Sequence, residues 1–75
     1  MTEKEKTVIR AIIGALRVKR DRFGRLVGYE GQIAAEAMRN FANEYSIPHG
    51  GYDRIDQATM ILQAMIGDTP RSIMD

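Results

Sequence analysis

The residues most able to do chemistry in this chain are five cations that lie within nine positions of one another. These cations, called here the basic cluster, are Arg17, Lys19, Arg20, Arg22 and Arg25. Nucleic acid favours such clustering, because each phosphate that a cation neutralises releases condensed counterions. A guanidinium group also suits phosphate, because its planar fork can bond two oxygens at once. The basic cluster therefore predicts a surface for a polyanion.

Charge is also divided unevenly along the whole chain, although the formal net charge is only +1. Residues 1–28 hold eight basic and three acidic residues, which gives a net charge of +5. Residues 29–75 hold three basic and seven acidic residues, which gives a net charge of −4. This asymmetry favours a polyanionic partner. It is equally consistent with two halves that neutralise each other, within one fold or across a dimer.

Two aromatic residues, Phe23 and Tyr29, lie in or beside the basic cluster. Aromatic rings next to cations can stack on nucleobases. A chain of 75 residues, however, has little apolar material from which to build a core. We therefore expect these rings to be core residues before we expect them to be base-stacking residues.

The sequence offers little material for catalysis. A nucleophile needs a general base beside it, and the base needs a third group to orient it. The chain has no cysteine and a single histidine, His49, which lies in a Pro-His-Gly-Gly loop and is expected to be an exposed turn residue. No glycine-rich phosphate motif joins a predicted strand to a helix. We expect no enzyme activity, no metal site, no cofactor and no small-molecule substrate.

The first predicted helix begins with a capping box and continues as an apolar stripe. Thr2 and Glu5 have the spacing at which each side chain bonds the other residue's backbone N–H. The stripe consists of Val8, Ile9, Ile12, Ile13 and Leu16. Gly14 interrupts it at a cost of about 1 kcal/mol relative to alanine, which suggests that another backbone approaches closely there.

Residues 17–29 are predicted to form a short β-hairpin or an extended arm, in preference to a continuation of the first helix. The segment from Asp21 to Arg25 has the composition of a turn, with Gly24 free to take a positive φ. Val18 before the turn and Leu26, Val27 and Tyr29 after it favour strands.

Two further helices are predicted in the rest of the chain. The second lies between Gly31 and Ser46 and carries a broad apolar face. Proline and two glycines at positions 48, 50 and 51 end it, and Asp53 is predicted to be the N-cap of the third helix. That helix is stopped by residues 67–70, and the last few residues of the chain are expected to be loose.

The third predicted helix has more apolar surface than one buried stripe requires. Its surplus residues, a candidate protein interface, are Met60, Ile61, Ala64 and Met65. Methionine side chains are adaptable and are common in binding grooves, and Met38 is a third example. A helix sandwiched between its two neighbours would explain the same pattern without a partner.

Taken together, these patterns predict one mainly α domain over residues 1–75, in which three helices surround a single core. The leading functional hypothesis is a small non-enzymatic regulator that binds nucleic acid through the basic cluster, as a dimer. The alternative is a protein-binding inhibitor or adaptor that uses the apolar surface of the third helix. No apolar run approaches the roughly 20 residues of a membrane span, and we expect a cytoplasmic protein with no membrane partner.

Overall fold

The three predicted helices form, in the predicted order. The structure, a computed structural model, describes residues 1–75 and contains α1 (Glu3–Val18), α2 (Gly28–Glu44) and α3 (Gly51–Met65). The expectation of a mainly α, three-helix domain is therefore confirmed. No strand forms, and the one β-type contact is an isolated antiparallel bridge between Arg20 and Leu26. None of the helices has the length and apolar composition needed to span a bilayer.

The capping box predicted at the start of α1 is present. The Thr2 hydroxyl accepts a hydrogen bond from the Glu5 backbone N–H at 3.1 Å, and the Thr2 N–H donates to the Glu5 carboxylate at 3.3 Å. These bonds from Thr2 are the main reason why the pKa of Glu5 is lowered. The Tyr45 hydroxyl donates to the same carboxylate at 3.0 Å, so that the end of α2 is fastened to the start of α1.

One core fills the space between the three helices. Its thirteen buried apolar residues are Ile9, Ile13, Leu16, Ala34, Ala35, Met38, Ala42, Ile47, Ile55, Ala58, Leu62, Ile66 and Ile73. All three predicted helices contribute to this list. Val8, from the stripe predicted in the first helix, is instead substantially exposed, and so is Ile33 in α2. The apolar faces are therefore real but narrower than the sequence patterns indicated.

Both later helices begin earlier than their sequence patterns indicated. α2 starts at Gly28, three residues before the predicted limit at Gly31. α3 starts at Gly51 with Gly50 as its N-cap, so the prediction that Asp53 is the N-cap is wrong. Gly28 and Gly51 both have a φ of 75°, a value open to glycine at little cost. The chain can therefore turn directly into each helix at a glycine.

The close backbone approach expected at Gly14 occurs instead at another glycine. A Cβ atom at Gly14 would have no other atom within 4 Å, apart from its own helical turn and chain neighbours. At Gly31 in α2, a Cβ atom would stand 3.3 Å from the backbone oxygen of Lys19. Gly31 thus allows the segment after α1 to lie directly against α2.

Residues 66–75, called here the C-terminal segment, pack against the helices, and the expectation that they are loose is wrong. Ile73 is fully buried in the core. The Asp56 carboxylate in α3 accepts hydrogen bonds from the Ser72 hydroxyl at 2.8 Å and from the Ile73 N–H at 2.7 Å. The Gln63 side-chain oxygen accepts another from the Arg71 N–H at 2.7 Å. Side chains of α3 therefore hold this segment against the helices.

Candidate nucleic-acid interface

The basic cluster lies at the end of α1 and in the loop that follows it. Residues 19–27, called here the basic loop, join α1 to α2. Arg17 belongs to the last turn of α1, and the other four cations belong to the basic loop. The β-hairpin or arm predicted over residues 17–29 does not form: residues 17 and 18 continue α1, residues 28 and 29 begin α2, and the loop between them has only the isolated bridge between Arg20 and Leu26.

Asp21 organises the basic loop. Its carboxylate accepts hydrogen bonds from the backbone N–H groups of Phe23 at 2.8 Å and Arg25 at 2.9 Å. Its backbone N–H donates to the oxygen of Arg25 at 2.8 Å. The base of the loop is closed by the N–H of Val27, which donates to the oxygen of Lys19 at 2.7 Å. The one acidic residue among the cations therefore shapes the loop, as an aspartate in a turn commonly does.

Lys19 is the only member of the basic cluster that has a carboxylate partner. Its ammonium nitrogen lies 2.6 Å from a carboxylate oxygen of Glu30 in the first turn of α2. The hydrogen bond from Lys19 lowers the pKa of Glu30. Together with the pair between Arg10 and Asp68, this contact joins the basic half of the chain to its acidic half. The two halves therefore do neutralise each other in part, as one of the alternatives proposed.

The four arginines of the basic cluster have no such partner. No carboxylate oxygen lies within 4.0 Å of the guanidinium groups of Arg17, Arg20, Arg22 or Arg25. Arg22 and Arg25 are exposed, and Arg17 and Arg20 are half-buried. The neutralisation of the cluster by the acidic half is thus confined to Lys19.

The two half-buried arginines each carry an unsatisfied donor. The Nε groups of Arg17 and Arg20 are buried and have no hydrogen-bond partner. A buried donor without a partner costs about 1–3 kcal/mol. The Nη2 group of Arg17 does donate to the backbone oxygen of Arg71, at 3.4 Å. This contact brings the exposed Arg71, which the sequence analysis did not include, next to the basic cluster.

The expectation that Phe23 and Tyr29 belong to the core is wrong. Phe23 is 65% exposed and Tyr29 is 80% exposed. The guanidinium carbon of Arg22 lies 4.9 Å from the centre of the Phe23 ring, in a cation–π contact. The core is instead filled by aliphatic residues of the three helices and by Ile73. Two aromatic faces therefore stand in solvent among the cations.

A pocket opens where the basic loop meets the start of α2. It has a volume of about 360 Å³ and is lined by Lys19, Val27, Gly28, Tyr29 and Glu30. Its walls thus combine an aromatic ring and an aliphatic side chain with one ammonium and one carboxylate group. This pocket could not be predicted from the sequence, because it depends on the fold of the loop against α2.

The candidate protein interface lies on the outer face of α3. Met60, Ile61, Ala64 and Met65, called here the α3 patch, are all exposed, whereas Met38 is fully buried in the core. No charged residue occurs between positions 57 and 67. α3 is therefore not sandwiched between its neighbours, and one face of it is left without a cover.

The remaining candidate for chemistry, His49, has a structural partner. It is half-buried, and one ring nitrogen makes a short hydrogen bond with the side-chain oxygen of Asn43. No three side chains of the histidine, cysteine, aspartate or glutamate types are grouped closely enough to hold a metal ion.

Comparisons with protein families, with curated proteins and with solved structures find no match for this chain. The geometry and the charge of the chain itself are therefore what point to its function.

Proposed function

We propose that this protein is a small non-enzymatic cytoplasmic regulator that binds nucleic acid through the basic cluster, as a homodimer. One observation carries the proposal: four arginines gathered at one end of the domain have no carboxylate within 4.0 Å. Their charge is available to an external anion. A polyanion should bind the four arginines most strongly, because each phosphate contact releases condensed counterions.

The four arginines have different roles in the proposed complex. Arg22 and Arg25 are exposed and can meet phosphate directly. Arg17 and Arg20 are half-buried and must turn outward, a movement that breaks no hydrogen bond at either Nε group and costs Arg17 only the long bond of 3.4 Å from Nη2 to the Arg71 oxygen. Turning outward would also relieve the cost of the unsatisfied donors. Such contacts fix the position of a protein on a nucleic acid and do not read its sequence.

A salt titration tests the proposal quantitatively. If all four arginines contact phosphate on duplex DNA, log K should fall against log salt with a slope of about −3.6. Arg25→Gln should make this slope less steep by about 0.9. Lys19→Gln is the matched control, because Lys19 is already paired with Glu30 and its loss should change the slope much less. Equal effects of the two variants would contradict the roles assigned here.

Charge reversal gives a second test. The double variant Arg20→Glu/Arg22→Glu should abolish binding and leave the helical circular dichroism spectrum unchanged. The control is Lys4→Glu/Arg54→Glu, which changes the net charge equally at exposed positions outside the basic cluster. The proposal fails if the wild-type protein binds neither DNA nor RNA at low ionic strength, or if both double variants lose binding equally.

The dimer part of the proposal is supported by the α3 patch. Contiguous exposed apolar surface commonly marks an interface. A second copy suits this surface, because residues 57–67 carry no charge and two such faces meet without repulsion. Packing two copies of α3 antiparallel would also oppose their helix dipoles favourably. Ile61→Asp should then convert a dimer, measured by sedimentation equilibrium, into a monomer.

The α3 patch also favours a second candidate function, a protein-binding inhibitor or adaptor. In that case the basic cluster would increase the rate of association with an acidic target. A protein that is monomeric in solution, and that binds no nucleic acid, would favour this candidate over the first. Ile61→Asp should then weaken target binding more than Arg20→Glu/Arg22→Glu does.

A further inference from the structure

The most exposed aromatic rings of the chain lie in or next to the loop that carries the unpaired Arg20, Arg22 and Arg25. Tyr29 is 80% exposed and Phe23 is 65% exposed, and both lie in or next to the basic loop. We propose that the nucleic acid bound at this surface is single-stranded, with unpaired bases stacked on these two rings and one base held in the pocket beside Tyr29. This inference rests on the proposed function and names the class of nucleic acid that the surface takes.

The rings can stack on bases, which the phosphate contacts of the arginines cannot do. Proteins that bind single strands combine a basic surface, which follows the backbone, with aromatic rings, on which successive bases stack. Removing one such ring typically weakens binding by about 5- to 150-fold. Phe23 is already covered on one face by the Arg22 guanidinium, so a base can stack on its opposite face. Exposed rings and free cations thus occur together where a single strand requires both.

The pocket at the start of α2 has the size and the lining that a base requires. Its volume of about 360 Å³ is near the lower end for small-ligand sites. The Tyr29 ring and the Val27 side chain supply apolar walls for a flat ring. The Glu30 carboxylate can accept from an exocyclic amino group, as carboxylates accept from N4 of cytosine. The Lys19 ammonium group, which stays beside Glu30 at 2.6 Å, can meet a carbonyl oxygen of the base.

The same surface is poorly suited to a duplex. Duplex bases are already stacked, and a protein reaches their edges with a helix or a two-stranded ribbon that enters a groove. The basic loop contains a single bridge and no strand that could form such a ribbon. The helix that starts beside it, α2, presents the exposed Glu30 carboxylate in its first turn. That carboxylate is paired with Lys19, so the start of α2 offers no free cation to the phosphates of a groove.

A binding comparison at fixed salt tests the inference. Fluorescence anisotropy would measure the affinity for a labelled twelve-nucleotide strand of mixed sequence, free and annealed to its complement, with DNA and RNA in separate arms. We expect the free strand to bind more tightly than the duplex. Tyr29→Ala and Phe23→Ala should each weaken binding of the free strand by about 5-fold or more. Tyr29→Phe is the matched control and should retain the wild-type affinity.

The outcomes separate this inference from the function on which it rests. Tyr29→Ala should leave the salt slope unchanged, because it removes no charge, and the slope on a single strand should be near −2.8 for four phosphate contacts. Duplex binding as tight as single-strand binding, or full affinity in Tyr29→Ala, would overturn the inference and leave nucleic-acid binding in place. Absence of binding in every arm would overturn both.

Discussion

The carboxylate of Asp56 in α3 accepts hydrogen bonds from the hydroxyl of Ser72 at 2.8 and 2.9 Å. The same carboxylate accepts from the Ile73 N–H, so that one side chain anchors the C-terminal segment. Asp56→Ala should therefore lower the free energy of unfolding by about 1–3 kcal/mol, because two donors lose their partner. Urea denaturation followed by circular dichroism would measure the loss.

Asp53→Ala is the matched control for this variant, because Asp53 lies in the same helix and is exposed. It removes a carboxylate from the first turn of α3 and should cost only about 0.3–1 kcal/mol through the helix dipole. If Asp53→Ala lowered the free energy of unfolding as much as Asp56→Ala does, the hydrogen bonds of Asp56 would contribute nothing beyond the charge of its carboxylate.

Ile73 should contribute to stability as a core residue does, despite its distance from the helices in the sequence. It is fully buried, and truncation of a buried isoleucine to alanine typically costs about 2–5 kcal/mol. In a domain of this size, each kcal/mol lowers Tm by about 4–8 °C. Thermal unfolding of Ile73→Ala and of Thr69→Ala, an exposed control in the same segment, would measure the difference. Similar Tm values for the two variants would contradict the packing of this segment.

Two glycines should respond to alanine in opposite directions. Gly14→Ala should raise stability by about 0.5–1 kcal/mol, because the site lies within α1 and a Cβ atom meets open space. Gly24→Ala should lower it by about 1–2 kcal/mol, because φ is +80° there. The new Cβ atom would also stand 2.6 Å from the Cγ atom of Met74. Denaturant titrations of the two variants should therefore shift to either side of the wild-type curve.

Acid should remove the contribution of the pair between Arg10 and Asp68. The guanidinium donates from Nε at 2.9 Å and from Nη2 at 3.0 Å to the two carboxylate oxygens, and these bonds lower the pKa of Asp68 below its usual 3.8. A lowered carboxyl pKa adds stability that is complete above the unfolded value and is lost as pH falls through the folded one. Asp68→Asn should thus be less stable than wild type at neutral pH, and the difference should vanish in strong acid.

Asp75→Asn is the control for the pH series, because Asp75 is exposed and lies outside the pair. It should follow the wild-type curve of stability against pH. Parallel curves for wild type and Asp68→Asn over the whole range would mean that the pair adds no pH-dependent stability.

The helices could be predicted from the sequence because their signals are local. The capping box of Thr2 and Glu5 uses residues three positions apart, and each buried stripe repeats with the period of the helix. The exact helix starts were missed at Gly28 and Gly51. At both positions a glycine with positive φ allows the helix to begin before its apolar pattern does.

Features that depend on distant residues could not be predicted. Ile73 has no apolar neighbour at helical spacing that would mark it as a core residue, and it is buried because Asp56 anchors the segment. Phe23 and Tyr29 have apolar rings of a kind often buried in a core. In this chain the core is formed by aliphatic residues, and both rings are exposed. The pairing of Lys19 with Glu30 likewise depends on how the loop lies against α2.

During translation, Ile73 leaves the ribosome after all three helices have been synthesised. The contact between Arg10 and Asp68, which are 58 positions apart, also has to wait until residue 68 has been synthesised. Until residue 73 emerges, the space that it fills between the helices remains open, and the nascent chain exposes apolar surface that aggregation or chaperones can reach. Folding of this domain should therefore be completed only after residue 73 has emerged, rather than helix by helix.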